Sequence, residues 1–273
     1  MSNQNVLIDR TSLLRNRKRF DKRRSGFLQE EAIIEVKERL NLINKDFRNV
    51  AIVAPFPDLW RKAFPKATII LDDDILNFEG QKFDLILHMM SLHWSNDPLG
   101  QMIQSLRALH PDSLFLSTLM GGETLRELRS SFAKAENDVT GGLSPRVLPM
   151  ADIRDLGTLL QRAGFALPVV DSVKLIASYE TPFQLLRELR AMGGGNAQVA
   201  RQKKFTRRSI FKEMYKIYAD HFSVENGKIA ASFEMFCLTG WAPSQNQPKP
   251  IQPGSAKMRL SDALQVEEKS LKY

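Results

Sequence analysis

The stretch NVAIVAPFPDLW, Asn49 to Trp60, begins as a short run of apolar, β-branched residues and then turns at two prolines. A run of this kind, bounded by turn residues, is typical of a strand buried on both faces. Similar runs follow at 67–72, 82–90 and 113–120, and helical segments lie between most of them. Strands that alternate with single helices predict an α/β fold with a doubly wound, mostly parallel sheet.

The remaining elements follow from periodicity and turn residues. Apolar residues spaced by three and four predict helices, and we expect Gly164 to cap one of them at its C-terminus. The predicted helices span 28–44, 97–110, 123–136, 152–163, 182–192 and 206–221, and further strands span 168–179 and 228–241. Three parts are therefore expected: a basic helical segment (1–45), an α/β domain with a helical insert at about 182–221 (46–242), and an extended proline-rich tail (243–273).

The positive charge of the chain is concentrated near its beginning. The net charge is +8, and the stretch from Arg10 to Arg24 contains eight basic residues and one acid, Asp21. An acidic partner, a mitochondrial transit peptide and a solvated helical face are three open interpretations, and we favour the solvated face. Only Phe20 is placed to stack on a base, so nucleic-acid binding is the weakest hypothesis.

Apolar content and cysteine usage bound the class of protein. No apolar run approaches the ~18 residues of a membrane span, so we expect a soluble protein. The single Cys237 lies in an apolar stretch and is interpreted as a small buried hydrophobe in a reducing compartment. These features favour a bacterial cytoplasmic protein, or a protein of the mitochondrial matrix if the source is eukaryotic. The oligomeric state is not set by the sequence.

Four segments in the middle of the chain match a known family. They are FDLILHMMSLHWSND (83–97), GGETLRELR (121–129), GGLSPRVLPMADIRDLGTLLQRAGF (141–165) and LLRELRAMGGGN (185–196). They resemble the class I S-adenosylmethionine methyltransferase family, in the branch that contains the mitochondrial NADH dehydrogenase (complex I) assembly factor and its alphaproteobacterial relatives. The similarity runs from about Phe20 to Lys257. More distantly, the chain is similar to the carrier-protein methyltransferase of biotin synthesis.

The resemblance implies a Rossmann-like methyltransferase fold with seven strands and adenosylmethionine lying across the carboxyl ends of the first ones. A glycine-rich turn would let the backbone approach this cofactor, and acids after the next strands would hold its ribose and adenine. The positions in this chain that correspond to the cofactor side are Ala54, Pro55, Asp72, Asp73, Ser91 and Leu92.

The chain departs from the family pattern at that cofactor turn. Ala54, Pro55, Phe56 and Pro57 supply no glycine, and the prolines remove two backbone donors. The 33 positions from Val50 to Phe83 leave room for only one comfortable strand. A sheet shortened in its donor-side half is therefore expected. If the second strand is lost, Asp72 or Asp73 is the adenine-side acid, and if the second strand is retained, Asp72 is the ribose partner.

The acceptor side matches the family more fully. His93, which follows the 82–90 strand, is a candidate catalytic proton acceptor, and Asn96 and Asp97 are expected to cap the next helix. The other substrate-side positions are Trp94, Gly121, Gly122, Glu123, Ser144 and Arg146. Gly121 and Gly122 either open an anion site at a helix N-terminus or serve backbone angles alone. A metal site built from His88, His93 and Asp97 is not expected.

Two functions compete for this combination of residues. The first is an adenosylmethionine-dependent methyltransferase, a transferase of one-carbon groups, with a degenerate cofactor turn and a protein or carrier acceptor. The second is a complex I assembly factor or pseudoenzyme that binds a complex I subunit, with arginine hydroxylation of such a subunit as an intermediate hypothesis. The intact acceptor side (91–196) beside a shortened donor side (50–80) favours partner recognition over efficient methyl transfer. The resemblance nevertheless makes the methyltransferase our main expectation and the assembly factor its alternative.

Overall fold

The fold is built on one sheet of six strands. The computed structural model describes residues 6–248, 258–259, 261–262 and 265. Within them the strands are β1 (Val50–Ala54), β2 (Thr68–Leu71), β3 (Phe83–Met89), β4 (Leu109–Met120), β5 (Ala166–Tyr179) and β6 (Ile229–Trp241). Their order in the sheet is β2-β1-β3-β4-β6-β5. The strands from β2 to β4 are parallel, and β6 runs antiparallel between β4 and β5. The predicted α/β fold with a mostly parallel sheet is confirmed.

Helices cover both faces of this sheet. They are α1 (Arg10–Arg17), α2 (Lys22–Ser25), α3 (Phe27–Leu42), α4 (Pro57–Ala63), α5 (Pro98–Arg107), α6 (Arg126–Thr140), α7 (Ile153–Ala163), α8 (Pro182–Ala191) and α9 (Arg208–Phe222). One core lies between the sheet and helices that include α3, α6 and α9, and a second lies between the sheet and α5 and α7. Because the central strands are buried on both faces, they are continuous apolar runs in the sequence.

The helix before β4 is shorter than predicted. It ends at Arg107, and β4 begins at Leu109 and runs through Pro111, so this proline does not terminate the helix. The pairing of β4 with β3 shifts register between Phe83 and Leu85. Pro111 therefore lies in the irregular part of β4, where a strand tolerates a residue without an N–H.

The shortened half of the sheet retains a strand directly beside β1. Ala51 pairs with Thr68 and Ala54 pairs with Leu71, in parallel. This pairing puts the retained strand where the family's second strand lies, which supports the alternative that the second strand is retained. Asp72 follows β2 at the position that the resemblance gives to the ribose partner.

The chain divides into two units between Pro243 and Ser244. The first contains every helix and strand named above, including α1 to α3 of the basic N-terminal segment. The predicted extended tail falls mainly outside the described residues. Among those residues, no helix has both the length and the apolar character that crossing a membrane requires.

Candidate functional site

A cavity of about 330 Å³ lies at the carboxyl ends of β1, β3 and β4. This is where ligands bind in open α/β sheets. The strand ends contribute Pro55 and Phe56 after β1, His93 and Trp94 after β3, and Met120 at the end of β4. Of the residues predicted from the sequence, Pro55, His93, Trp94 and Arg146 line this cavity.

The N-terminal segment lines part of the cavity, through residues that include Arg17 and Phe20. Asp9 caps α1 by accepting a hydrogen bond from the Ser12 N–H. Asn96 Oδ1 accepts the N–H groups of Leu7 and Ile8, so Asn96 holds this segment and does not cap α5 as predicted. Asp97 does cap that helix, through the Gly100 N–H.

Arg17 joins the N-terminal segment to the donor side of the sheet. Its Nη1 donates to Asp72 Oδ1 at 2.8 Å, and its Nη2 lies 2.8 Å from Asp72 Oδ2, a two-pronged ion pair. The two side chains are only 8% and 7% exposed. Arg10 Nη1 lies 3.6 Å from the same carboxylate. The expected solvated face is therefore wrong for Arg10 and Arg17, because a buried carboxylate requires a cation.

The turn after β1 is also filled by the protein itself. The Phe20 ring stacks on the Phe56 ring with centroids 3.9 Å apart. Prolines occupy the positions on both sides of Phe56, so the turn contains no glycine that would let a ligand approach the backbone closely. With both Asp72 oxygens engaged by Arg17, the residues in this arrangement do not fit adenosylmethionine.

The other predicted cofactor residues are not gathered around the cavity. Ala54 and Leu92 are buried in the two apolar cores, and Asp73 is 69% exposed. Ser91 is buried, with its hydroxyl 3.3 Å from His88 Nδ1. Their cofactor role stays a prediction.

His93 and His88 are uncharged at neutral pH. Burial, together with the positive charges of Arg17 and His88, lowers the pKa of His93 to about 3. Its Nδ1 accepts the Met120 N–H at 3.4 Å, so the neutral ring carries its proton on Nε2. Burial also lowers the pKa of His88 to about 4. A catalytic role for His93 stays a prediction, and the neutral ring can donate one hydrogen bond from Nε2.

Acid is expected to destabilise the fold through His88. Its pKa falls from 6.5 to about 4 on folding, so below pH 6.5 the unfolded chain binds a proton that the folded chain does not. The free energy of unfolding should fall by about 1.4 kcal/mol per pH unit for such a histidine, down to about pH 4. Urea unfolding of wild type and His88→Gln at several pH values measures this slope. Equal slopes for the two proteins would contradict the assignment.

Gly121, Gly122 and Glu123 connect β4 to α6. A Cβ on Gly121 would lie 2.3 Å from the Phe236 ring, whereas one on Gly122 meets nothing closer than 3.8 Å. The Glu123 N–H donates to Glu234 Oε2 at 2.9 Å. A carboxylate of the protein itself therefore already receives this N–H. Gly121 serves close packing, a reason the sequence did not suggest.

Alanine at these two glycines provides a matched test. Gly121→Ala is expected to lower the free energy of unfolding by about 2 kcal/mol, because the new methyl group overlaps the Phe236 ring. Gly122→Ala should stay within about 0.5 kcal/mol of wild type. Urea unfolding of both variants measures the difference, and equal effects would rule out the packing role.

Ser144 and Arg146 converge on one buried carboxylate. Glu136 accepts hydrogen bonds from the Ser144 N–H and hydroxyl at 2.8 Å or less. Arg146 donates to Glu136 through Nε and Nη2, and to Thr206 Oγ1 through Nη1. Burial alone would raise the pKa of Glu136, but the hydrogen bonds from Ser144 and Arg146 outweigh it, so this pKa lies below its ordinary value. Glu136 therefore anchors the 144–150 segment that lines the cavity.

Sequence reasoning missed Arg17 and Glu136. The only signal for Arg17 was that an acid directly after a buried strand, Asp72, needs a cation, and the basic stretch is the richest source of one. No feature of the sequence indicated that Glu136 is the partner of Ser144 and Arg146. Among the described residues, no three His, Cys, Asp or Glu side chains are grouped closely enough to hold a metal ion. Burial raises the pKa of the Cys237 thiol to about 12.

Comparison with solved structures identifies the fold. The crystal structure of a protein from Bacillus halodurans C-125 assigned as a methyltransferase superposes with a TM-score of 0.51 over 78% of this chain and all of that one, at 11% identity. The mixed sheet, with its cavity at the carboxyl ends of the strands, is thus the Rossmann-like methyltransferase fold.

Sequence comparison finds similar proteins, among them NDUFAF5 proteins and carrier-protein methyltransferases. The chain is 39% identical over 193 residues, 70% of its length, to the mitochondrial arginine-hydroxylase NDUFAF5 of Dictyostelium discoideum, and covers 44% of that protein. It is 34% identical over 202 residues, 74% of its length, to NDUFAF5 of Danio rerio, and covers 63% of it. A malonyl-[acyl-carrier protein] O-methyltransferase of Coxiella burnetii is 28% identical over 78% of this chain and 68% of that protein.

The chain therefore has the fold of a class I methyltransferase and is similar in sequence to the NDUFAF5 proteins. It spans less than two thirds of the length of either NDUFAF5 relative. No family model matches it.

Proposed function

We propose that this protein binds a protein partner, a subunit of respiratory complex I, on the acceptor side of a methyltransferase fold, and acts as an assembly factor without efficient methyl transfer. The observation that carries this proposal is the ion pair between Arg17 and Asp72. It occupies the carboxylate that would hold the cofactor ribose, while the acceptor-side cavity stays open.

The donor side and the acceptor side differ in a way that supports this proposal. Adenosylmethionine could reach Asp72 only if Arg17 withdrew, which would leave a buried carboxylate without its principal cation. The acceptor-side segment is instead held in place by its own network around Glu136. A rigid, preorganised surface of this kind is suited to binding a partner.

Protein-arginine hydroxylation is a second candidate function. It is favoured by the names of the two NDUFAF5 relatives, which describe arginine-hydroxylases. Both candidates share the same partner class and differ in whether the partner leaves chemically changed.

Calorimetry tests the donor side. Titration of the full chain with adenosylmethionine and with adenosylhomocysteine is expected to show no binding tighter than ~100 μM, a free energy of roughly −5.5 kcal/mol. Tighter binding of either compound would contradict the proposal, because it would show that Asp72 is accessible to a ribose.

Capture of a partner tests the acceptor side. The immobilised chain is offered purified complex I subunits one at a time, in aerated buffer that contains a reductant and adenosylmethionine, and the mass of any retained subunit is measured afterwards. Retention without a mass change supports the assembly role, and addition of one oxygen atom supports hydroxylation. Addition of a methyl group, or retention of no subunit, would refute the first candidate.

A further inference from the structure

Two ion pairs turn their positive ends toward the cavity. Arg17 and Arg146 line it, whereas their partners Asp72 and Glu136 lie behind them. Within the described part of the chain, no aspartate or glutamate lines the cavity. A ligand therefore meets guanidinium groups and not the carboxylates that neutralise them.

A third arginine lies at the rim. Arg190 is in the last turn of α8, is exposed, and lines the cavity. No carboxylate of the described residues lies within 4.0 Å of its guanidinium. Its donors are therefore available to an anion.

Most of the remaining lining is apolar, and its polar members are Ser25, Gln29, His93, Thr124, Asn196 and Gln198. The most frequent apolar residues in it are methionine, leucine and phenylalanine, and they include Met90, Met120, Leu128, Phe132, Leu189 and Phe233. Methionine side chains are flexible and adapt to ligands of differing shape. A volume of about 330 Å³ lies at the small end of the range of about 300 to 1,000 Å³ typical of small-molecule sites.

We propose that this cavity binds a small apolar acid, with the apolar body among the methionine, leucine and phenylalanine side chains and the carboxylate bound by Arg190. The proposal rests on the proposed function in that it takes the acceptor-side cavity to be the ligand site. It also means that a free guanidinium or sulfonium group is a poor ligand, because like charges would face each other without an intervening acid.

Matched probes of opposite charge test the proposal. Octanoate and octylammonium share one apolar chain and differ only in the head group. Trp94 lines the cavity, so the intrinsic fluorescence of the full chain should report binding. Octanoate is expected to bind saturably and at least about tenfold more tightly than octylammonium, since a charge-assisted hydrogen bond contributes this much.

Two variants on one helix test whether Arg190 binds the carboxylate of octanoate. Arg190→Gln is expected to weaken octanoate binding about tenfold and to leave octylammonium binding unchanged or tighter. Arg187 is on the same helix and is also exposed, but it lies outside the cavity, so Arg187→Gln should bind octanoate like wild type. Because both positions are exposed, neither substitution threatens folding.

Three outcomes would overturn the proposal: no saturable octanoate binding, equal or tighter binding of octylammonium, or equal effects of the two substitutions. Each is independent of adenosylmethionine calorimetry and of partner capture. Failure here would therefore leave the assembly role standing, whereas methylation of a captured subunit would refute the assembly role and leave the ligand class standing.

Discussion

Replacing Arg17 by methionine is expected to lower the free energy of unfolding by about 3 kcal/mol, because the buried Asp72 carboxylate loses its two-pronged partner. Arg10, at 3.6 Å, remains as a weaker partner and limits the loss. Urea unfolding measures the effect as a shift of the midpoint with an unchanged slope.

A neighbouring arginine provides the control. Arg15 lies on the same helix but is exposed, so Arg15→Met should change the free energy of unfolding by less than about 0.5 kcal/mol. In the double variant Arg17→Met, Asp72→Asn the buried charge is gone as well. Its loss should therefore fall short of the sum of the two single losses by about 2 kcal/mol. Strict additivity would show that the two residues do not act as a pair.

Replacing Glu136 by glutamine is expected to lower the free energy of unfolding by about 3 kcal/mol. Glu136 is 4% exposed, and the substitution leaves Arg146, 17% exposed, without a charged partner, facing only a neutral amide oxygen and the Thr206 hydroxyl. Since Ser144 bonds to the same carboxylate, the 144–150 segment should loosen and partner capture should weaken in parallel. Hydrogen exchange of that segment, measured beside urea unfolding, separates local loosening from global loss.

An acid two positions along the same helix is the matched control. Asp138 pairs with the exposed Lys134, and Asp138→Asn should cost less than about 1 kcal/mol. Similar losses in the two variants would mean that Glu136 contributes only as an ordinary helix residue.

Local features of the sequence were sufficient to predict the architecture. Val50–Ala54 is a strand because a short β-branched run is buried on both sides, and Gly164 ends α7 at a φ of 95° because glycine tolerates that angle. The prediction that Pro111 ends a helix was wrong. Pro111 lies where the pairing of β4 with β3 is irregular, and that irregularity depends on a strand that is distant in the sequence.

The same reasoning placed the candidate site only in part. Trp94 and Pro55 were expected at the carboxyl edge of the sheet, and both line the cavity, because strand ends and the residues after them are adjacent along the chain. The substrate-side role of Gly121 stays a prediction, and its close contact with the Phe236 ring on β6 could not be read from neighbouring residues in the sequence.

The order of hydrophobic runs, helix periods and turn residues along the chain thus determined the α/β class and the edge where a ligand would bind, and the resemblance to a known family added the shortened donor side. Only the tertiary structure shows which charged side chains form pairs at that edge. Arg17 and Asp72 are 55 positions apart, and nothing local distinguishes Arg17 from the exposed Arg15. An ion pair is selected by where two buried atoms lie in space, a relation that a linear pattern does not contain.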